Sequence, residues 1–143
     1  MPIEIRDAHP ADAGEMAPLM LQLMGRPSSP GAIRDRLVRL LATGADRVIV
    51  AVAEGRVVGV AGLHVAWMIH ADHPTARLMS LVVSEECRGQ GIGRSLVHRS
   101  CELARAAGCD RMELTSRLER AGAHSFYERV GFEHTSKRFS MPL

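Results

Sequence analysis

The sequence predicts an α/β (α+β) domain with a mixed, largely antiparallel central sheet flanked by helices, in the order β-α-α-β-β-β-α-β-α-β. Two observations carry this reading. Residues 47–53 and 56–65 are β-branched runs joined by a tight Glu54-Gly55 turn, the pattern of a hairpin. After residue 93 the apolar spacing changes to a helical one, so that a strand, a glycine-rich turn and a long amphipathic helix follow each other. A length of 143 residues fits one domain, 1–143, and leaves little room for a second.

Taken in order, residues 3–6 alternate and read as a short first strand. Met16, Leu19, Met20 and Leu23 follow helical spacing, with Pro18 predicting either a start near it or a kink. Ser28-Ser29-Pro30 offers an N-cap with proline at the first helical position. The second helix then shows Ile33, Leu37, Leu40 and Leu41 on one face and stops at Gly44. After the hairpin, residues 76–83 form a further strand. Ile92, Leu96, Val97, Ser100, Leu103, Ala104 and Ala107 share one helical face, which Gly108 ends. Residues 112–115 read as a strand, 121–130 as a short helix closed by Gly131, and 132–141 as a last strand.

Hydrophobic residues make up 46%, enough for one core, but aromatics are only 3%, so aliphatic side chains must pack it. No stretch approaches the ~18–20 apolar residues that cross a bilayer. Residues 1–12 carry acids and prolines where a signal peptide needs an apolar run, so a cytoplasmic protein without a membrane partner is expected. The net charge of +2 is too mild to argue for nucleic acid, although basic residues are denser between 77 and 138 and suit a polyanionic ligand. Cys87, Cys101 and Cys109 are odd in number and lack CxxC spacing, which predicts free thiols. The seven histidines are scattered without HExxH, so no metal is expected.

The most informative segment runs from Leu81 through Arg88-Gly89-Gln90-Gly91-Ile92-Gly93 to Arg94 and Ser95. Glycines let a backbone approach a ligand closely and tolerate positive φ. The first N–H groups of a helix lack intrahelical partners and sit at the positive end of its dipole. Such a turn binds a diphosphate, and Arg88 and Arg94 add cationic donors. A Walker A loop needs Gly-Lys-Ser/Thr, whereas this chain has Gly-Arg-Ser at the wrong spacing. The dinucleotide fingerprint needs GxGxxG after an early strand, whereas here the pattern is Gly89-x-Gly91-x-Gly93 past mid-chain. The diphosphate of coenzyme A is the third candidate.

Preceded by Leu81-Val82-Val83 and followed by Leu96, the glycine-rich hexapeptide closely resembles the acyl-CoA motif of the GNAT N-acetyltransferase superfamily. Downstream, Ala123-His124-Ser125-Phe126-Tyr127-Glu128-Arg129-Val130-Gly131-Phe132 is similar to that family's AxxFYxxxGF segment. The resemblance spans essentially the whole chain. It implies acetyl-CoA as donor and a primary amine as acceptor, attacking the thioester directly within a ternary complex. The main chain of Leu81, Val82 and Val83 would pair with the pantetheine arm as an added strand, and an N–H there would polarise the thioester carbonyl. Arg88, Gly89, Gln90, Gly91, Ile92, Gly93, Arg94 and Ser95 would hold the diphosphate. Homodimers are common in the family.

By the same resemblance Tyr127, the only tyrosine, is the expected proton donor to the departing thiolate. A thiol of pKa ~8.5 and a phenol of ~10 are close enough for that transfer. Glu113 is the favoured general base, with His64, His70, Asp72 and His73 as alternatives and a bound-water relay as another. Where many members of the family carry an asparagine, three residues before the alanine of AxxFY, this chain has Arg120. Arg120 and His124 stand i, i+4 with Arg117 just upstream, a pattern similar to small bacterial acetyltransferases, some acting on aminoalkylphosphonates. Such a cluster would grip an anionic group on CoA or on the acceptor. A small-molecule amine is the leading acceptor. The alternatives are a protein or peptide amine, or a non-catalytic acyl-CoA-binding regulatory module.

Overall fold

Alternation of side chains along each strand decides which helix packs on which face of the sheet. Val48, Val50, Val60 and Val82 point to one face, where Met16, Leu19, Ile33 and Leu37 bury them. The computed structural model that shows this describes residues 2–116 and 121–143. The chain divides by contact into two units, Met1–Glu113 and Leu114–Leu143.

In the first unit, β1 (Ile3–Asp7), β2 (Asp46–Ala53), β3 (Arg56–Ala66), β4 (Thr75–Val83) and β5 (Arg111–Glu113) form one sheet in chain order. β1 to β4 are antiparallel and β5 joins β4 in parallel. The predicted hairpin is β2–β3, turning on Glu54 and Gly55 at φ 51° and 75°, the pair of left-handed residues a tight I′ turn needs. α1 (Ala13–Met24) and α2 (Pro30–Leu41) cover one face. Ser29 caps α2 as predicted, accepting from Ala32 N at 3.1 Å. α1 begins five residues before Pro18 and carries the proline inside.

α3 (Ile92–Ala106) covers the other face. Its approach is set by Gly59: a Cβ there would stand 3.0 Å from Leu96 Cδ1 and 3.3 Å from Ile92 Cγ2. Ile92 and Leu96 are almost wholly buried, worth roughly 1.5–3 kcal/mol each. They seat the N-terminal turn of α3 firmly on the sheet, and Gly108, at φ 86°, follows the helix end as expected.

In the second unit, α4 (Ala121–Arg129) is closed by Gly131 at φ 111°, with Phe132 N donating to Tyr127 O at 3.0 Å. The last predicted strand is not formed: residues 132–143 carry no regular secondary structure. Alternation fails there, since His134, Ser136 and Arg138 follow Phe132 on one side and Glu133, Thr135 and Lys137 precede Phe139 on the other. Neither side offers a stripe to bury. The observed order is therefore β-α-α-β-β-β-α-β-α, and β5 is shorter than the predicted 112–115.

One buried carboxylate ties β1 to the start of α1. Asp12 is 7% exposed, takes both guanidinium nitrogens of Arg6 at 2.9 Å and accepts from His9 N at 2.7 Å. The Arg6 contact holds the Asp12 carboxyl below its ordinary value, against the opposing effect of burial. A depressed native pKa means stabilisation that is complete above the unfolded value of about 3.9 and lost as pH falls through the native one. Asp12→Asn is expected to cost about 1.5–3 kcal/mol at pH 7. In denaturant titrations the gap between variant and parent should narrow below pH 4.

Candidate active site

Pairing between β4 and β5 covers only Thr75–Arg77 against Arg111–Glu113. Beyond it, residues 78–83 keep β3 on one side, and no described strand lies on the other. Ser84 N donates to Val58 O at 2.8 Å. Main-chain groups alternate in direction along an antiparallel strand, so Val82 and Ser80 face β3 while Leu81 and Val83 face the open edge. Gln22 of α1 closes part of it: its Nε2 donates to Val83 O at 2.7 Å and its Oε1 accepts from Glu85 N at 3.1 Å. The N–H groups of Leu81 and Val83 and the carbonyl of Leu81 are thus aimed at the edge.

The same strand runs into the glycine turn. After a 3-10 turn, Glu85–Cys87, the chain passes Arg88 to Gly91 and enters α3. Gly89 and Gly91 have φ 80° and 79°, and a Cβ on either would meet nothing within 4 Å. Backbone conformation, and not crowding within the chain, is what requires glycine at both. Gly91 is the N-cap, no side chain caps it, and the first return bond is Ser95 N to Gly91 O at 3.0 Å. The N–H groups of Ile92, Gly93 and Arg94 precede that bond at the positive end of the dipole. Arg88, Gln90, Arg94 and Ser95 are exposed around them, and Gly93 is half-buried.

A cavity of about 800 Å³ lies between α1, α2 and strands β2 to β4. Its wall is built by a bulge. Gly62 pairs with Ser80 but Leu63 pairs with Leu78, leaving Met79 unpaired in β4, which turns Met79 and Ser80 toward the same side. Both line the cavity, and Gly62, with no side chain, gives it depth. Met16, Met20, Leu23 and Leu37 supply apolar surface, Arg26 and Arg36 supply positive charge, and Arg47 touches the rim. Arg47 pairs with Asp7 at 3.0 Å, and Arg36 lies 3.4 Å from Ser28 Oγ. His64 Nδ1 meets Asp46 Oδ1 at 2.9 Å, and Asp46 Oδ2 accepts from the Thr43 hydroxyl at 2.7 Å.

Of the residues expected to act, the first unit brings together Leu81, Val82, Val83 and the whole run from Arg88 to Ser95. Glu113 stands exposed at the end of β5, 3.7 Å from Arg111, and does not line the cavity. His70, Asp72 and His73 are exposed on the β3–β4 connection. In the second unit Tyr127 is half-buried on α4, with edge-to-face contacts to Phe126 at 5.5 Å and Phe132 at 6.0 Å. Arg117 and Arg120 lie outside the described residues; His124 is half-buried on α4. Burial pushes the Cys109 thiol up, which disfavours a thiolate. Gln22 and Asp46 were not singled out from sequence, where a glutamine in an apolar helix and an aspartate before a strand carry no signal of their own.

Among the described residues no group of His, Cys, Asp and Glu is placed to hold a metal, and no helix is long and apolar enough to cross a membrane. Residues 18–132 match the model of the acetyltransferase (GNAT) family. Over its full length the chain is 32% identical to the aminoalkylphosphonate N-acetyltransferase of Salmonella typhimurium, covering 94% of that protein. Two solved structures share the fold. A transcriptional regulator from Bacillus halodurans gives a TM-score of 0.90 at 24% identity, over 99% of this chain and 100% of that one. An aminoglycoside N-acetyltransferase in complex with CoA gives 0.87 at 19% identity, over 99% and 95%.

Proposed function

This chain belongs to the GNAT acetyltransferase family and is an acetyl-CoA-dependent N-acetyltransferase, and from that premise we propose that its acceptor is a small primary amine bearing an anionic group. The observation that carries the proposal is the cavity beside β4, in which, among the described lining residues, Arg26 and Arg36 outnumber the carboxylate of Asp46, Arg47 being paired with Asp7. Guanidinium groups bind phosphonate, phosphate or carboxylate through paired N–H donors. The aminoalkylphosphonate relative supports the same class.

The donor follows the main chain. The diphosphate of acetyl-CoA sits on the N–H groups of Ile92, Gly93 and Arg94, with Arg88, Gln90 and Ser95 around it and Gly89 and Gly91 giving the turn its shape. The pantetheine arm runs along the open edge of β4, bonding Leu81 and Val83 as a further strand would. An N–H of that edge polarises the thioester carbonyl as negative charge develops on it. The amine attacks from the cavity and the C–S bond breaks; the resemblance of residues 123–132 to the family's AxxFYxxxGF segment supports Tyr127 as the proton donor to the thiolate. Acetylation of a protein or peptide amine would leave the arginine-lined cavity without a role.

Three outcomes are expected. Gly91→Val forces a β-branched residue into a left-handed backbone, a cost of roughly 1–2 kcal/mol, and CoA titration calorimetry should show about tenfold weaker binding. Tyr127→Phe should lower kcat about 100-fold while CoA binding stays within a factor of two; unchanged turnover would remove the phenol from the mechanism. In a thiol-release assay over an amine panel, aminoalkylphosphonates and ω-amino acids should outpace polyamines of equal length. The double variant Arg26→Ala, Arg36→Ala should raise KM for the anionic amines at least tenfold and leave that of the polyamines in place. Equal rates on both classes in the parent protein would count against the anion-reading cavity.

A further inference from the structure

An aliphatic primary amine has a pKa near ~10 and enters a neutral solution as ammonium, so it attacks only after giving up a proton. We propose that His64 is the general base that takes it and that Asp46 is the residue that positions the ring. The proposal rests on the acetyltransferase reading above and adds the group that makes its nucleophile.

The dyad forms because of a bulge. β2 and β3 pair Ala53 with Arg56 and Val52 with Val57, then shift between Ala51 and Val52, so that Ala51 meets Gly59 and Asp46 meets His64. Uninterrupted pairing would have set Asp46 against Leu63, which packs with Ala76 and Ala104 on the α3 face. The extra residue places a carboxylate beside an imidazole on the cavity side. His64 Nδ1 lies 2.9 Å from Asp46 Oδ1. An ionised carboxylate only accepts, so Nδ1 carries the hydrogen and Nε2 keeps its lone pair. Asp46 is itself fixed: its side chain is only 14% exposed, and Thr43 donates to its Oδ2 at 2.7 Å. The His64 side chain is 38% exposed, open enough to meet an amine or a bridging water.

The charged groups around the ring are few. Asp46 faces it from β2 and Arg77 stands opposite it on β4, with Glu113 of β5 opposite Arg77 in turn. Across the cavity lie Arg26 and Arg36, with Arg47 beside Asp46. Among the described charged and imidazole side chains lining the cavity, His64 is therefore the one placed to accept the proton, since arginine has no acceptor atom and Asp46 is spent on the ring. The β4 bulge sets Met79 and Ser80 on the same side, directly before Leu81 on the open edge. Ammonium gives one proton to Nε2, which passes it to solvent. The free amine then forms the N–C bond as the C–S bond breaks. The second N–H proton leaves as the amide forms, one proton is taken up by the thiolate, and one is released overall.

The test compares acceptors of different basicity in the full chain. His64→Gln should lower kcat on a strongly basic amine about 100-fold and abolish the acid limb of its pH profile. On an amine of pKa below 7, which arrives neutral, the loss should stay under tenfold. CoA binding should be unchanged in both cases. Asp46→Asn, which leaves the ring in place, should lower kcat more than it changes KM and displace the acid limb, a readout that loss of packing would not move. Equal losses on both amines, or a variant as fast as the parent, overturn the dyad. Absence of thiol release from the parent protein with any amine would instead overturn the acetyltransferase reading itself.

Discussion

Everything in the first unit is organised around a sheet that stops pairing. β4 and β5 share three residue pairs and then part, which leaves main-chain donors and acceptors of Leu81 and Val83 without a described strand opposite them. A bare edge at the centre of a fold is costly to keep. Gln22 answers part of the cost by bonding Val83 O and Glu85 N from α1. What is left is a short template for an extended ligand, the place proposed for the acyl-pantetheine arm with its two amides.

The two ends of that template are fixed by different devices. At one end Gly59 removes a side chain so that Ile92 and Leu96 seat α3 directly on the sheet, and the uncapped helix start follows the strand within a few residues. At the other end the β4 bulge turns Met79 and Ser80 into the cavity, and the β2–β3 bulge brings Asp46 to His64. The proposed donor and acceptor sites thus meet at one strand, β4. Catalysis by positioning depends on such placement, because small displacements of reacting groups are expensive.

Strand existence was legible from residue chemistry, since valine alternation and the Glu54-Gly55 turn each carry their own mechanism. The glycine turn was legible for the same reason: Gly89 and Gly91 are residues whose backbone demand is visible in the one-letter code, and both adopt positive φ. The dyad was not. Counting outward from the hairpin turn pairs Asp46 with Leu63, and a one-residue bulge, which no local signal marks, changes the partner to His64. Residues 132–141 failed in the opposite direction: they read as a strand, but the positions between Phe132 and Phe139 supply no apolar face. Glu113, the favoured base, closes β5 opposite Arg77 of β4, a placement that follows from strand register and not from any local signal.

Amide hydrogen exchange with and without CoA would examine the central claim at single-residue level. Binding should slow exchange at Leu81 and Val83 on the open edge and at Ile92, Gly93 and Arg94 at the start of α3, while Val82, already bonded to β3, changes little. Saturating CoA that leaves Leu81 and Val83 as fast as in the free protein would contradict the account.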